Sequence, residues 1–261
     1  MATGRARPPV HAILLDAGGV MIFPSLELLL PPLQAAGLQP SVADLERAHY
    51  RAMADCDDPG REPPGGQWWL EYLGDFAAAC GVPADDVKTV AEDTAGLTQG
   101  FSWTHVGPGV PVALRVIAAL GLPLGIVSNS TGEVEEALRR LNVCYAYAGN
   151  ASTTHNAHTA NPASLAERGV EVGAVIDSAV VGVSKPDPAI FELALAALGI
   201  PAVDRGTVIH VGDSLRYDVA GALAAGIRPL HLDPHGYCPV PDGHEHIRRL
   251  EEVVVLVASA G

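Results

Sequence analysis

Short apolar runs alternate with stretches of helical spacing over most of this chain, and this alternation constrains the fold more than any other feature. The first run, VHAILL, ends at Asp16. Beyond it, the strand-like runs are 124–127, 174–176, 207–211 and 229–232, and the helical stretches are 109–120, 132–141, 188–198 and 217–225. Strands separated by helices are typical of βα units, whose strands form a parallel sheet covered on both faces. The sequence therefore predicts an α/β fold.

Residues 24–108 interrupt this alternation, because they contain no convincing strand. Ser41-Val-Ala-Asp44 has the pattern of a capping box at the start of a helix. The helical stretches in this region are 41–55, 67–80 and 83–97, with a less regular one at 25–36 that contains two prolines. We predict a small all-helical domain at 24–108, inserted into a core domain formed by residues 10–23 and 109–261.

The charge and cysteine content limit the classes of partner and compartment. Acidic residues outnumber basic ones, 30 to 16, giving a formal net charge of −14, which argues against binding to nucleic acid or an anionic membrane. The four cysteines lie far apart and form no CxxC pair, which favours a reducing compartment. No apolar segment resembles a signal peptide or reaches the ~18 residues needed to span a bilayer. We expect a soluble cytoplasmic protein.

Polar side chains stand where several predicted strands end. Because the carboxyl ends of parallel strands meet at one edge of a sheet, these side chains are expected to lie together. They are Asp16, Ser128, Asn129, Lys185, Asp213 and Asp218. Carboxylates, a hydroxyl and an ammonium group suit phosphoryl transfer assisted by Mg²⁺, which prefers hard oxygen ligands. The hypothesis requires Asp16 and Asp213 to lie within about 10 Å of each other, close enough to share one cation.

Four segments that contain these residues follow one another in a characteristic order. They are LLDAGGV (14–20), VSNS (127–130), VSKPDPAIF around Lys185, and HVGDSLRYDVAGALAAG (210–226). In this order they resemble the four motifs of haloacid dehalogenase-like (HAD) superfamily hydrolases, in the subgroup with a helical cap inserted after the first motif. The resemblance extends over about residues 10–255 and implies a Rossmann-like sheet under a small all-helical cap domain.

The resemblance also implies a role for each site residue. Asp16 is implied as the nucleophile that forms an aspartyl phosphate and, with Asp213 and the backbone carbonyl of Gly18, as a ligand of Mg²⁺. Asp218 is implied to support that metal site. The residues implied to hold the phosphoryl group are Ser128, Asn129 and Lys185. The expected function is therefore Mg²⁺-dependent hydrolysis of a small phosphorylated metabolite.

Gly18 departs from the pattern of the family it resembles. Phosphatases of that family usually carry a second aspartate at this position, which protonates the leaving oxygen and later activates water. Glycine retains the backbone carbonyl for the metal but removes a general acid worth ~10²–10⁴ in rate. We expect slow turnover of alkyl phosphates, a milder loss with good leaving groups, or an acid supplied by the cap or the substrate. Glu27, close to the cap hinge, is one candidate for that acid.

Three other functions compete with a phosphatase. A dehalogenase would use the same aspartate against carbon without Mg²⁺, and its relatives usually carry a bulky aromatic residue where Gly18 stands. A mutase would require the missing aspartate. A non-catalytic phosphometabolite-binding or regulatory protein could retain the metal site without turnover. The complete set of Mg²⁺ ligands argues against the dehalogenase.

Aromatic and histidine residues of the predicted cap are interpreted mainly as structural. Trp68 and Trp69 are adjacent and are not expected to share one helix face, so at least one of them should belong to the cap core, as should Tyr72, rather than contact a ligand. The residues His49, Tyr50 and Arg51 are expected to be exposed on a cap helix, with a role in specificity as the alternative.

Two further segments contain histidines. Imidazole and thiolate groups suit Zn²⁺, but the spacing of those near the C-terminus matches no zinc finger, so we expect a polar surface loop after the last core strand. These residues are His231, His235, Cys238, His244 and His246. The polar stretch 150–162 should lie at the amino end of the sheet, far from Asp16. His155 and His158 within it are then not expected to be catalytic, and a lid is the alternative.

Overall fold

The computed structural model describes residues 8–61, 68–98, 100–147 and 169–259. The stretch 150–162, with His155 and His158, therefore lies outside the described residues. The strands are β1 (Ala12–Leu15), β2 (Ile22–Pro24), β3 (Trp103–Val106), β4 (Leu124–Ser128), β5 (Cys144–Ala146), β6 (Val170–Val172), β7 (Ala174–Asp177), β8 (Val208–Gly212), β9 (Arg228–Leu232) and β10 (Glu245–Ile247).

The α-helices are α1 (Leu26–Ala35), α2 (Val42–Cys56), α3 (Trp68–Ala79), α4 (Val87–Gly96), α5 (Val110–Ala118), α6 (Val134–Arg140), α7 (Ser178–Val181), α8 (Ala189–Ala197), α9 (Ala220–Ala224) and α10 (Glu252–Ala258). A 3₁₀ helix covers Ala202–Thr207, and a π-helical turn covers Leu215–Val219 directly before α9. Every described helix is too short or too polar to cross a lipid bilayer.

A parallel sheet of six strands, in the order β10-β9-β8-β1-β4-β7, forms the centre of the molecule. Alternate residues of β1 belong to different hydrophobic clusters: Ile13 and Leu15 to one, Ala12 and Leu14 to the other. Both faces of the sheet are therefore covered, which is why its strands read as continuous apolar runs. The predicted Rossmann-like α/β core is confirmed.

Helices α1 to α4 pack on one another around a separate apolar cluster that includes Leu33, Leu45 and Phe76. The capping box at the start of α2 is present, because the Ser41 hydroxyl accepts a hydrogen bond from the amide of Asp44 and the Asp44 carboxylate accepts one from the amide of Ser41. The irregular stretch at 25–36 also forms a helix, α1. We call these four helices the cap.

The expectation that residues 24–108 contain no strand is wrong at one place. β3 pairs antiparallel with β2, with Ile22 opposite Val106 and Phe23 opposite His105. Its sequence, WTHV, is half-exposed and has no apolar alternation, and its pairing depends on a three-residue partner remote in the chain. β2 crosses the predicted boundary between residues 23 and 24, so the exact division into domains stays a prediction.

The expectation of a polar surface loop after β9 is met at residues 233–244, which form no helix or strand, but it is wrong beyond them. β10 adds a sixth parallel strand beside β9, with His246 opposite His231, and α10 follows it. With only three residues, two of them polar, β10 lacks the apolar run by which the other strands of the sheet are recognised. A second short parallel pair, β5 with β6, was likewise not predicted.

Candidate active site

Three aspartates that are far apart in the sequence lie together at the carboxyl edge of the sheet. Asp16 follows β1, Asp213 follows β8, and Asp218 lies in the π-helical turn. Each offers a carboxylate oxygen, and the three oxygens all lie within 4.8 Å of one another. This separation is well below about 10 Å, the upper limit for carboxylates that share one cation. The register of the parallel strands brings the residues together, because Leu15 of β1 lies beside Val211 of β8.

Lys185 provides a positive charge among these carboxylates. Its Nζ lies 2.9 Å from Oδ2 of Asp16 and donates a hydrogen bond of 2.6 Å to Oδ1 of Asp218. Burial alone would lower the pKa of Lys185, but the two carboxylates outweigh burial and raise that pKa above its ordinary value. The side chain is 1% exposed, so the ammonium group is held by its partners rather than by water. The site thus contains the local cation that an anionic substrate of an acidic protein needs.

The acidities of Asp16 and Asp218 differ because their surroundings differ. Burial raises the pKa of Asp16 to about 7, although Lys185 opposes the shift. Burial would also raise the pKa of Asp218, but Lys185 and His210 hold that pKa well below its ordinary value. His210 Nε2 lies 2.8 Å from Oδ1 of Asp218, and the amide of Ser214 donates to Oδ2. Asp218 is therefore a fixed anion that anchors Lys185.

The predicted phosphoryl-holding residues Ser128 and Asn129 lie at the end of β4 and line the same cavity. The Asn129 amide spans the backbone of Lys185: its Oδ1 accepts from the Lys185 amide at 2.8 Å, and its Nδ2 donates to the Lys185 carbonyl at 3.0 Å. Asn129 thereby orients Lys185, a contact that motif spacing did not indicate. Ser128 is buried, next to the cavity.

His49 of α2 contacts the candidate site directly, which corrects the expectation that it is exposed. Its Nε2 lies 2.8 Å from Oδ2 of Asp213, its Nδ1 lies 2.9 Å from the hydroxyl of Tyr72, and the residue is 1% exposed. Tyr50 is half-buried and donates a hydrogen bond to the carbonyl of Gly19, whereas Arg51 is exposed as expected. The face of α2 that carries His49 is covered by the core domain, and sequence periodicity gives no sign of that docking.

Gly19 is required by this close approach. Its φ is +67°, a conformation that favours glycine, and a Cβ there would overlap the carboxylate of Asp213 and the ring of His49. The adjacent Gly18 is tightly packed for a different reason. A Cβ at position 18 would lie 3.1 Å from Cζ3 of Trp103, so the Trp103 ring occupies the space into which a side chain would extend.

Glu27, a sequence-based candidate for the missing acid, does not lie in this site. It is exposed in the first turn of α1 and does not line the cavity. Glu27 belongs to the first helix of the cap, as its position in the sequence suggested, but its side chain is on the exposed face of α1. The structure therefore removes Glu27 from the candidates for a general acid.

A cavity of about 640 Å³ lies between the cap and the sheet edge. The aromatic residues that line it are Trp68, Trp69, Phe101, Trp103 and Tyr217. Both adjacent tryptophans line it, although they were not expected to share one helix face. Each indole also stacks on Tyr72, with ring centroids 5.5 and 5.4 Å away, and packs against the cap core, as expected for at least one of them. Tyr72 itself is fully buried in the cap core. The Nε1 of Trp68 is buried and has no hydrogen-bond partner among the described residues.

Asp57 forms a second link between the cap and the core. Directly after α2, its carboxylate accepts hydrogen bonds from the hydroxyl of Ser214 at 3.0 Å and from the amides of Leu215 and Arg216. Burial raises the pKa of Asp57 to about 7, although these hydrogen bonds oppose the shift. The amino-acid sequence gives no local sign of this link, because the partners of Asp57 lie about 160 residues further along the chain.

Three neighbouring aspartates and a buried lysine thus lie at the carboxyl edge of a Rossmann-like sheet, under a helical cap. The model of the haloacid dehalogenase-like hydrolase family matches residues 10–226, and the chain belongs to this family. The match includes all four motif segments.

Individual relatives agree with this assignment. Haloacid dehalogenase-like hydrolase domain-containing protein 3 of Danio rerio is 30% identical over 210 residues, which are 77% of this chain and 74% of that protein. Among solved structures, the HAD hydrolase YfnB of Bacillus subtilis, bound to magnesium, is similar with a TM-score of 0.55 and 15% identity, over 95% of this chain and 99% of that one. A HAD phosphatase of Thermococcus onnurineus has a TM-score of 0.51 and 18% identity, over 96% and 99%. These two structures share the fold.

Proposed function

We propose that this protein is a Mg²⁺-dependent phosphatase that acts on a small phosphorylated metabolite through an aspartyl phosphate on Asp16. The observation that carries the proposal is the approach of the Asp16, Asp213 and Asp218 carboxylate oxygens to within 4.8 Å of one another, with the ammonium group of Lys185 beside Asp16 and Asp218. Three buried carboxylates cost stability unless cations compensate them, and such clusters are typical of functional sites.

The donor set fits Mg²⁺, since Asp16, Asp213 and the backbone carbonyl of Gly18 offer hard oxygen ligands. Bound there, Mg²⁺ would offset the negative charge that phosphate and nucleophile bring together. In this proposal Asp218 acts mainly through Lys185, to which its Oδ1 is hydrogen-bonded at 2.6 Å.

In the proposed reaction, each residue of the site has a separate role. An oxygen of Asp16 attacks phosphorus, and the bond from phosphorus to the leaving oxygen breaks. Lys185 and Ser128 bind the phosphoryl oxygens, and Asn129 holds Lys185 in place through two backbone hydrogen bonds. Water then attacks the phosphorus of the aspartyl phosphate, which releases inorganic phosphate and restores the carboxylate. With Gly18 in place of an acid, the leaving oxygen takes its proton from water or from the substrate.

The lining of the cavity supports a proposal for the class of leaving group. Trp68, Trp69 and Trp103 provide flat apolar surface beside the carboxylates, which suits an aromatic or heteroaromatic leaving group. An aryl alcohol also leaves without full protonation, which is consistent with the loss of the general acid at position 18.

The test is a phosphatase screen over aryl and alkyl phosphomonoesters, with Mg²⁺ and with a chelator. We expect Mg²⁺-dependent phosphate release that favours aryl esters and is abolished in Asp16→Asn. Asp93→Asn, at an exposed position of α4, serves as the matched control and should retain full activity. Equal activity in Asp16→Asn and the parent would contradict the proposal. Tight binding of phosphate or vanadate with no turnover would favour the regulatory protein instead.

A second candidate function, a dehalogenase, is favoured by one specific observation. Relatives of that type carry a bulky aromatic residue at the position of Gly18, and here the ring of Trp103 reaches the same place from β3, 3.1 Å from where a Cβ of residue 18 would lie. In that case Asp16 would attack carbon and displace halide. Release of chloride from 2-chloro acids, unaffected by a chelator, would replace the phosphatase assignment with this one.

A further inference from the structure

A second group of metal-binding side chains lies outside the candidate active site. His231 belongs to β9, Cys238 to the loop that follows, and His244 and His246 to the approach and middle of β10. One ligand atom from each of the four lies within 4.8 Å of the others. The β9–β10 pairing, which places His231 opposite His246, brings the residues together despite their irregular spacing in the sequence.

The ring of His231 is oriented as a metal ligand would be. Its Nε2 lies 3.0 Å from the backbone carbonyl of Asp213, an acceptor that requires the proton to be on Nε2. The lone pair is therefore on Nδ1, which faces Nε2 of His244 at 3.1 Å. A backbone carbonyl that fixes the far nitrogen is the usual outer partner of a histidine bound to metal. His231 is 4% exposed, so this orientation is held by packing as well.

The other three side chains converge on the same point. The Sγ of Cys238 lies 3.8 Å from Nε2 of His244. The Nε2 of His246 is buried and has no hydrogen-bond partner among the described residues. Asp233 shapes the loop that returns Cys238 to the cluster, because its carboxylate accepts hydrogen bonds from the amides of Tyr237 and Cys238 at 2.8 and 3.1 Å.

We propose that His231, Cys238, His244 and His246 form a tetrahedral site for a divalent transition metal, with Zn²⁺ as the expected ion. Zn–N bonds of ~2.0–2.1 Å and a Zn–S bond of ~2.3 Å place the ligand atoms of a tetrahedral site about 3.3–3.6 Å apart. The measured separations of 3.1 and 3.8 Å lie on either side of this range. Three imidazoles and a thiolate suit Zn²⁺ and do not suit Mg²⁺. On binding, the Cys238 thiol releases its proton to solvent and the thiolate becomes the ligand.

The site would stabilise the part of the structure on which both the catalytic edge and the cap rest. His231 links it to the backbone of Asp213. The β9–β10 loop also contacts α2, where the ring of His235 lies 5.8 Å from that of Tyr50 and Arg51 lies 5.7 Å from the centre of the Tyr237 ring. Metal binding at this loop would therefore hold a surface against which the cap helix packs.

The experiment is a titration of the metal-stripped, reduced protein with Co²⁺ in excess Mg²⁺, which is added to compete for the carboxylate site. We expect one equivalent of Co²⁺ to produce a thiolate-to-cobalt charge-transfer absorption and the intense visible bands of tetrahedral cobalt. One equivalent of Zn²⁺ should remove both. Because the wild-type protein gives this readout, the test does not depend on the folding of any variant. Absence of stoichiometric tetrahedral binding would overturn the proposal.

Two variants assign the site to its residues. Cys238→Ser should lose the charge-transfer absorption, and His244→Ala should weaken Zn²⁺ binding by at least about 10–100-fold, because loss of a residue that only hydrogen-bonds to a metal ligand already weakens binding by that factor. Cys80→Ser, at a half-buried cysteine of the cap, is the matched control and should bind as the parent does. If the four residues form only a hydrogen-bonded cluster, the parent, Cys238→Ser, His244→Ala and Cys80→Ser should all bind metal equally weakly, which would contradict the proposal.

Discussion

The Nε2 of His49 lies 2.8 Å from the Oδ2 of Asp213, so a residue of the cap contacts a carboxylate of the candidate metal site directly. The same imidazole reaches the hydroxyl of Tyr72 through its other nitrogen. Cap position and active-site geometry are thereby coupled through one buried side chain. Asp57, at the end of the same helix, adds the second contact with the loop that follows β8.

Replacement of His49 by alanine should impair both stability and catalysis. The change leaves a cavity and removes a partner from Asp213 and from Tyr72, which together should cost about 2–4 kcal/mol in the free energy of unfolding. We expect kcat/KM to fall about 10-fold or more through a loss of cap closure. Urea unfolding and steady-state kinetics measure the two effects. His11→Ala, at an exposed histidine, is the control, and equal behaviour of the two variants would refute the coupling.

Removal of the Lys185 charge should lower stability and activity far more than removal of the charge of Lys88, the other lysine of the chain. Lys185→Met leaves the buried carboxylates of Asp16 and Asp218 without their cation, at an expected cost of about 3–5 kcal/mol in the free energy of unfolding. Activity should fall at least about 10²–10³-fold, because the charge on the phosphoryl oxygens loses a partner. Lys88→Met, whose parent side chain is 85% exposed, should change neither quantity measurably. An active Lys185→Met enzyme would show that another residue binds the phosphoryl group.

Restoring an acid at position 18 should require space as well as a carboxyl group. Gly18→Asp alone crowds Trp103, so we expect little gain in activity towards alkyl phosphates. In a Trp103→Val background, adding Gly18→Asp should raise kcat/KM for an alkyl phosphate about 10²-fold. The control is Gly18→Asn in the same background, which has the same shape but no acid. Equal rates for the Asp and Asn variants would contradict the account of the missing acid.

The stability of the protein should depend on pH through Asp57. Its pKa is raised to about 7 by burial, above the ordinary value of 3.8, so between these values the folded state keeps a proton that the unfolded state has lost. Stability from this group is fully present below pH ~4 and is lost as pH rises to ~7, with a magnitude of up to about 4 kcal/mol.

Urea unfolding at pH 5 and pH 8 checks this sign. The parent should lose more free energy of unfolding between the two pH values than Asp57→Asn, which cannot titrate. Asp58→Asn, at the exposed neighbouring position, should behave as the parent does. The prediction is contradicted if the free energy of unfolding of the parent rises, relative to that of Asp57→Asn, between pH 5 and pH 8. That result would show that the folded state favours the ionised form of Asp57.

Much of the core and of the candidate site could be predicted because the necessary information is local. The apolar runs that end at Asp16, Ser128 and Gly212 form buried strands whose carboxyl ends must share one edge, so the convergence of Asp16 and Asp213 follows from strand direction alone. Capping at Ser41 is equally local, since its partner is three residues away. The strands β3 and β10 could not be predicted, because their sequences have no regular pattern of apolar residues. Each forms only by pairing with another strand, β2 or β9.

The amino-acid sequence by itself determined the α/β core, the family, and the set of acids and one lysine at the sheet edge, because each depends on patterns within a few residues. Only the tertiary structure decided that His49 reaches Asp213, that the ring of Trp103 fills the space beside Gly18, and that four C-terminal residues converge on one point. The first two contacts join elements widely separated along the chain, and the third depends on the pairing of β9 with β10. Their geometry depends on how the cap and the last strand dock against the sheet, which is set by packing of whole surfaces rather than by any local pattern.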